Sequence, residues 1–182
     1  HSVFSKILRF EADKLGFTSN YSIYDTDDSQ NAIKQILREN NYDPKEIQPR
    51  IIQRRISDAK NQLILPGQYM ERFVHSTLDD ITARIYSIYV ERLKHNNAMD
   101  FDDLLIKPIE LFSEYETVLE KYQERFKYIL IDEYQDTNHA QYKVTNMLAN
   151  KYRNLCVVGD DAQSIYSFRG AGATNILSSK GD

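Results

Sequence analysis

The sequence predicts an α/β protein in which a mostly helical region, residues 1–126, precedes an incomplete parallel βαβ core. In the first region, apolar residues recur at spacings of three, four and seven, as on one face of a helix. After residue 126, two short apolar runs, 128–131 and 155–158, flank one amphipathic segment at 138–151, which indicates a strand, a crossover helix and a second strand. Because one such unit is too small for a stable sheet, we expect the chain to be a fragment of a longer protein.

Caps and helix breakers divide the helical region into successive helices. The first apolar stripe is expected to end at Gly16, since glycine suits a helix C-terminus. Residues 21–24 are predicted to form a short extended link, and Asp27 or Asp28 is predicted to cap the helix that follows. The pair Pro66-Gly67 is expected to interrupt the helical pattern again.

The longest helix is predicted to run from about Ser76 to Asn96, where the apolar periodicity is sustained. Asp79 and Asp80 fall in its first turn and suit the positive end of the helix dipole. Asp100 is predicted to cap another helix, which Pro108 could kink.

Composition limits the classes of function. With 182 residues, 41% of them hydrophobic, the chain can bury a core and is not disordered. Its single cysteine, Cys156, lies in an apolar strand, which favours a buried core residue, allows no internal disulfide and fits a reducing cytoplasm. We find no signal peptide and no apolar run long enough to span a membrane, so the predicted location is cytoplasmic.

The net charge of −4 shows that the chain is no polycation, so nucleic-acid binding would need a local basic face. Two stretches could supply one, Arg50–Lys60 and Arg84–Lys94. A solvated helix face is an equally good interpretation of each stretch.

The most informative segment is Asp132-Glu-Tyr-Gln-Asp-Thr-Asn138, directly after the first apolar strand. Parallel sheets place their chemistry beyond the carboxyl ends of their strands. A carboxylate at a strand end, here Asp132, can hold a magnesium ion, and the differently projecting Glu133 can activate a water molecule. The alternative is that these are ordinary loop acids that cap the next helix.

A second polar segment, Gly159–Ala171, follows the second apolar strand. The amide of Gln163 can hydrogen-bond both a phosphate oxygen and a water molecule, and the guanidinium of Arg169 suits a carboxylate partner. Tyr166 and Phe168 could stack on bases of single-stranded nucleic acid, at roughly 1–3 kcal/mol for each base. Core packing of the rings and an exposed loop charge are the alternatives.

The two segments resemble motif II, the Walker B element, and motif III of superfamily 1 DNA helicases of the UvrD/PcrA/Rep type. His1–Phe4 is similar to the end of motif Ib, and Asp100–Leu104 to a further family motif. The resemblance covers nearly the whole chain. It implies that residues 1–126 correspond to a helical 1B subdomain with its junctions, and residues 127–182 to part of a RecA-like 1A core.

The same resemblance implies a role for each site residue. Asp132 would direct Mg²⁺, and Glu133 would activate the attacking water. Gln163 would sense the terminal phosphate of ATP, and Arg169 would couple the nucleotide site to the DNA site. Phe168 stands where the family often has tryptophan, which leaves less ring area for stacking. The residues implied in DNA binding are Tyr166, Phe168 and His1.

The implied parent protein is an ATP-dependent 3′–5′ DNA helicase that uses Mg²⁺ and ATP. Its implied partners are single-stranded DNA, duplex junctions and repair or replication proteins. The chain contains no Gly-x-x-x-x-Gly-Lys-Ser/Thr sequence, and therefore no P-loop to cradle the phosphates. We therefore predict that this chain alone does not hydrolyse ATP.

Two other classes of function stay open. A metal-dependent nuclease would use clustered acids as ligands, with His139 as the basic group nearest in sequence. Its ligands would be Asp132, Glu133, Asp136, Asp160 and Asp161. A non-catalytic interaction module would instead use residues 1–126 as a helical docking domain.

Overall fold

The computed structural model describes residues 2–125, 129–132, 139–150 and 155–158. The chain divides into two compact units, His1–Lys107 and Pro108–Asp182. The predicted division into subdomains 1–126 and 127–182 stays a prediction.

The described helices are α1 (Ser2–Glu11), a 3-10 helix (Ala12–Leu15), α2 (Thr26–Glu39), α3 (Pro49–Asn61), α4 (Pro66–Arg72), α5 (Thr77–His95), α6 (Asp103–Glu114), α7 (Glu116–Arg125) and α8 (His139–Ala149). The described strands are β1 (Ser22–Tyr24), β2 (Ala98–Asp100), β3 (Ile129–Asp132) and β4 (Leu155–Val158).

In the first unit, the helical layer is a crossover connection between two adjacent parallel strands. β1 pairs with β2 in a register that sets Ser22 opposite Ala98 and Tyr24 opposite Asp100. The chain between them contains α2 to α5. The predicted extended link at 21–24 therefore contains a paired strand. β2 lies between two predicted helices and was not predicted, because a three-residue strand is too short to show alternation.

Local signals explain several of the helix ends. Gly16 adopts a left-handed conformation, with φ of 82°, and its N–H caps the 3-10 helix, so the predicted stop is confirmed. Ser76 caps α5, since its side chain accepts a hydrogen bond from the N–H of Asp79. The predicted cap of α2 was wrong: Asp25 caps this helix, and Asp28 returns the hydrogen bond as its capping-box partner. Pro66 begins α4 instead of interrupting the helical pattern.

Two hydrophobic clusters form the core of the first unit. The larger lies among α2, α3, α4 and α5 and reaches Ala98 of β2. The smaller joins α1 and the 3-10 helix to β2 and α6; its buried members are Leu8, Ala12, Phe17, Tyr21, Met99 and Leu104. β2 therefore contributes to both clusters, and its last residue, Asp100, leads directly into the turn before α6.

In the second unit, β3, α8 and β4 form the predicted parallel βαβ arrangement, which is confirmed. The register sets Ile129 opposite Leu155 and Asp132 opposite Val158. The side-chain amide of Gln123 on α7 donates a hydrogen bond of 2.9 Å to the carbonyl oxygen of Met147 on α8, which fixes these two helices together. Of the helices in the described part of the chain, none has the length and apolar character needed to cross a membrane.

Candidate functional site

The ends of β3 and β4 lie side by side at one edge of their sheet. Asp132 is the last residue of β3 and pairs with Val158, the last residue of β4. The two strands thus stop together, directly before the segments 133–138 and 159–171 that carry the predicted motifs. In open α/β sheets, ligands bind beyond this carboxyl edge. The backbone arrangement is therefore the one that a site built from these two segments requires.

The predicted site residues themselves fall largely outside the described part of the chain. Asp132 lies at the carboxyl end of β3, but its side chain is outside what the structure describes. The other predicted residues, Glu133, Gln163, Arg169, Tyr166, Phe168 and His1, lie outside the described residues, as do Asp136, Asp160 and Asp161. His139 begins α8 and is exposed. Within the described residues, no group of three His, Cys, Asp or Glu side chains could hold a metal ion.

The structure does describe a second polar site, at the junction of β2 and α6. The N–H of Asp103 donates to Oδ1 of Asp100 at 2.9 Å, and the N–H of Asp100 donates to Oδ2 of Asp103 at 3.1 Å. This reciprocal pattern is that of a capping box. The prediction that Asp100 caps the helix here is thus confirmed.

A buried lysine completes this site. The ammonium of Lys60, on α3, lies 2.7 Å from Oδ2 of Asp100 and 3.0 Å from Oδ1 of Asp103. All three side chains are only 6% exposed. Each of the four carboxylate oxygens therefore receives a donor, two from backbone N–H groups and two from one ammonium. Such complete pairing is what makes buried charges tolerable.

Tyr89 connects this site to α5 and α2. Its hydroxyl lies 2.8 Å from Oδ2 of Asp100 and 3.0 Å from Oγ of Ser29. A carboxylate can only accept, so the tyrosine donates its one proton to Asp100 and accepts from the hydroxyl of Ser29. We call Lys60, Tyr89, Asp100 and Asp103 the charge cluster; with Ser29 they join α2, α3, α5, β2 and α6.

The pKa shifts in the charge cluster have two causes: the groups are buried, and two carboxylates share one ammonium. Burial alone would lower the pKa of Lys60, but the charges of Asp103 and Asp100 hold it well above its ordinary value. Burial would raise the pKa of Asp100, but the charge and hydrogen bond of Lys60 lower it. For Asp103, burial and the charge of Asp100 outweigh the opposing charge of Lys60, and its pKa is raised to about 6.

The basic stretches predicted from sequence are largely paired with acids. Lys60 is buried in the charge cluster, so its assignment to a basic surface face was wrong. Arg55 lies 2.6 Å from Asp79, and Arg92 lies 2.6 Å from Glu39. These pairs remove much of the local positive charge that nucleic-acid binding would need.

One signal in the sequence could have revealed the role of Lys60. Ile52 and Ile56 are buried on α3, and Lys60 continues the same stripe at the next interval of four. A charged residue on the core face of a helix needs a buried partner of opposite charge. The acidic run that begins at Asp100 supplies that partner.

Comparison with known proteins places the chain in a family. A sequence model of the UvrD/REP helicase N-terminal domain matches residues 1–182. The chain belongs to this family. It is 47% identical over 182 residues to the ATP-dependent DNA helicase PcrA of Bacillus subtilis (strain 168), a match that covers 100% of this chain and 24% of the relative. It is 45% identical over 184 residues to the PcrA helicase of Staphylococcus aureus (strain Mu50 / ATCC 700699), covering 100% of this chain and 25% of the relative.

Membership of the UvrD/REP helicase family confirms the resemblance first drawn from the motifs. The chain spans about a quarter of the length of these relatives. In this UvrD/REP chain, the segment that resembles motif II begins at the end of β3, and the segment Asp100–Leu104 includes two members of the charge cluster.

Proposed function

We propose that this chain is part of an ATP-dependent DNA helicase that moves 3′ to 5′ on single-stranded DNA and unwinds duplexes during repair or replication. One observation carries the proposal: in a UvrD/REP family chain, the Asp-Glu-Tyr-Gln-Asp segment begins with the last residue of a parallel strand that ends beside its neighbour. That edge is where a nucleotide-handling sheet keeps its catalytic groups. ATP would bind in the cytoplasm, where the DNA substrate is also present.

The residues at this edge suit Mg²⁺ and ATP by their donor chemistry. Asp132 supplies the hard oxygen ligand that Mg²⁺ prefers, and Glu133 can take the proton of the attacking water. Bound Mg²⁺ would neutralise charge that develops on the phosphate oxygens. The amide of Gln163 can hold a phosphate oxygen and the water together, and Arg169 can pair with a carboxylate of the motif II segment.

The DNA substrate would be held through stacking instead of bulk positive charge. Tyr166 and Phe168 offer ring faces to successive bases, a contact that does not depend on base identity and so suits a translocating protein. The net charge of −4 and the ion pairs of Arg55 and Arg92 support this mode over a basic surface. His1 would lie on the same DNA path, and the helical region would meet duplex junctions or partner proteins.

The decisive experiment uses the longer protein that contains this chain. ATP turnover is measured with and without single-stranded DNA for the wild type, for Glu133→Gln and for the matched control Glu120→Gln, whose side chain is exposed on α7. We expect DNA to stimulate the wild type and the control, and Glu133→Gln to lower kcat by roughly 10²–10⁴-fold, the usual contribution of a general base. A folded wild type without DNA stimulation, or a Glu133→Gln variant as active as the control, would overturn the proposal.

The 182-residue chain by itself provides a second test. Because it contains no P-loop sequence, we expect no ATP turnover from it. Turnover that Glu133→Gln abolishes would contradict this expectation. Incubation of the chain with DNA and Mg²⁺ or Mn²⁺ should leave the DNA intact, whereas metal-dependent cleavage would favour the nuclease alternative.

A further inference from the structure

The charge cluster contains an uncompensated negative charge in a water-excluded place. Two carboxylates, Asp100 and Asp103, share the single ammonium of Lys60 at distances of 2.7 and 3.0 Å, and all three side chains are 6% exposed. Burying an unbalanced charge is costly, and a titratable group in that position commonly takes up a proton instead. The geometry therefore favours uptake of one proton by the cluster.

The neighbours of the cluster leave this charge largely unbalanced. Among the charged groups that face Asp103 in the described residues, the cations are Lys60 from α3 and Lys107 from α6 itself. Lys107 also lies 5.6 Å from the ring centroid of Phe17. The other titratable groups are Asp100 and Tyr89 within the cluster, and Asp102 before α6 and Tyr86 of α5 beside it.

These other groups do not supply positive charge. Burial raises the pKa of both Tyr86 and Tyr89, so their hydroxyls stay neutral. Burial and the charge of Asp100 raise the pKa of Asp102, which accepts a hydrogen bond of 2.8 Å from the side chain of Asn61. The N-terminal end of α6 contributes only the partial positive charge of a helix dipole.

Hydrogen bonding decides which carboxylate takes the proton. Asp100 accepts from Lys60, from the hydroxyl of Tyr89 and from the N–H of Asp103. Asp103 accepts from the N–H of Asp100 and lies beside the same ammonium. Because more donors stabilise the ionised form of Asp100, the proton goes to Asp103.

We propose that Lys60, Asp100 and Asp103 form a buried proton-binding site, with Asp103 as the acceptor, that makes the first unit more stable in mild acid. The site is independent of the proposed helicase activity, since it requires neither ATP nor DNA. Uptake of the proton relieves the repulsion between Asp100 and Asp103, so the folded first unit gains stability when the surroundings acidify.

The direction of the effect follows from linkage. Burial and Asp100 raise the pKa of Asp103 to about 6 in the folded chain, from the ordinary value of 3.8. Between these two values the folded state binds more protons than the unfolded state, so stability falls as pH rises through this range. From pH 7.5 down to pH 5.5, the folding equilibrium constant should increase about fourfold through this one group.

The test uses the 182-residue chain with carboxyl-carbon NMR and urea unfolding. The titration midpoint of Asp103 is read from its ¹³C carboxyl signal, assigned through its backbone. Unfolding is followed at pH 7.5 and 5.5 by amide signals of α5, which report on the first unit. Asp103→Asn removes the proton acceptor, and Asp58→Asn is the matched control on an exposed position of α3.

We expect a midpoint above 5 for Asp103 and a gain of about fourfold or more in the wild type and in Asp58→Asn. The gain should be much smaller in Asp103→Asn, in which Asp102 still has a raised pKa. Lys60→Met should move the midpoint higher still, because two carboxylates would then share no cation. A midpoint at or below 5, or an undiminished gain in Asp103→Asn, would overturn the proposal. If either cluster variant fails to fold, the midpoint in the wild type still decides.

Discussion

Replacing Tyr89 by phenylalanine removes one oxygen atom from the charge cluster and leaves the ring in place. That hydroxyl donates to Oδ2 of Asp100 at 2.8 Å and accepts from Ser29 at 3.0 Å. Tyr89 is almost fully buried, so water cannot replace the lost group. The substitution therefore tests how much this hydrogen bond to a buried carboxylate contributes to the stability of the first unit.

The expected loss can be worked out by comparison with a second buried tyrosine. A hydrogen bond to a charged group contributes about 1.5–3 kcal/mol, and a neutral one about 1 kcal/mol. Tyr89→Phe loses a hydrogen bond to a charged group and leaves the Ser29 hydroxyl without its acceptor, so we expect the free energy of unfolding to fall by about 2–3 kcal/mol. Tyr86 on the same helix donates at 2.7 Å to the neutral carbonyl of Ile64, so Tyr86→Phe should lose only about 1 kcal/mol.

Urea unfolding of the wild type and the two variants, followed by amide signals of α5, measures these losses. With a urea m-value of about 2 kcal/mol/M, Tyr89→Phe should lower the unfolding midpoint by roughly 1 M. Tyr24→Phe is the control, because the exposed Tyr24 hydroxyl accepts only a long hydrogen bond of 3.4 Å from the side chain of Asn96, and its removal should change the stability little. A Tyr89→Phe midpoint equal to that of Tyr86→Phe would show that the carboxylate contact adds nothing, and the reasoning would fail.

Three further predictions use the same unfolding assay. Asp25→Ala removes the side-chain acceptor for the N–H of Asp28 and should cost about 1 kcal/mol, whereas an equal loss from Asp27→Ala would mean that the cap was misassigned. Gly16→Ala should lower the unfolding free energy by about 1–2 kcal/mol, because φ is 82° there and the new Cβ would lie 3.3 Å from Cε of Lys94. Gly67→Ala is the control in α4: its new Cβ would meet nothing within 4 Å, so it should not destabilise the chain. The pKa of Lys60 is raised well above its ordinary value in the folded chain, so the stability that its charge contributes is complete below about pH 10 and is lost only as pH rises through the higher folded pKa. The difference in unfolding free energy between the wild type and Lys60→Met should therefore be constant from pH 8 to 10. A difference that shrinks over this range would contradict the shift.

The sequence was a good guide where one local signal dominates. The periodicity from Ser76 to Asn96 predicted α5 to within a residue at each end, because a long amphipathic helix repeats its signal over many turns. The apolar run 155–158 coincides with β4, since short continuous apolar runs are typical of strands in parallel sheets. The motif that begins at the end of β3 indicated the family correctly, because its residue types are contiguous and need no distant partner to be recognised.

The sequence was a poor guide where the decisive partner lies far along the chain. β1 and β2 are three residues each, and their pairing depends on contacts across the whole helical layer. The stripe on α3 indicates that Lys60 needs a buried acidic partner, but no local pattern shows which acids, 40 and more positions away, supply it. The predicted roles of Glu133, Gln163 and Arg169 stay predictions, because they fall on residues outside the described part of the chain.

The pairing of β1 with β2 across four intervening helices has a consequence for the order of folding. Bringing the two strands together in an unfolded chain carries the loop-closure entropy of the entire α2–α5 segment. The contacts of α2 with α3 and of α4 with α5 are nearer in sequence, and contacts that are local in sequence form sooner than distant ones. We therefore expect the helical layer to fold first and so to bring β2 into position beside β1. Substitutions in β2, such as Met99→Ala, should then speed unfolding while leaving the refolding rate nearly unchanged.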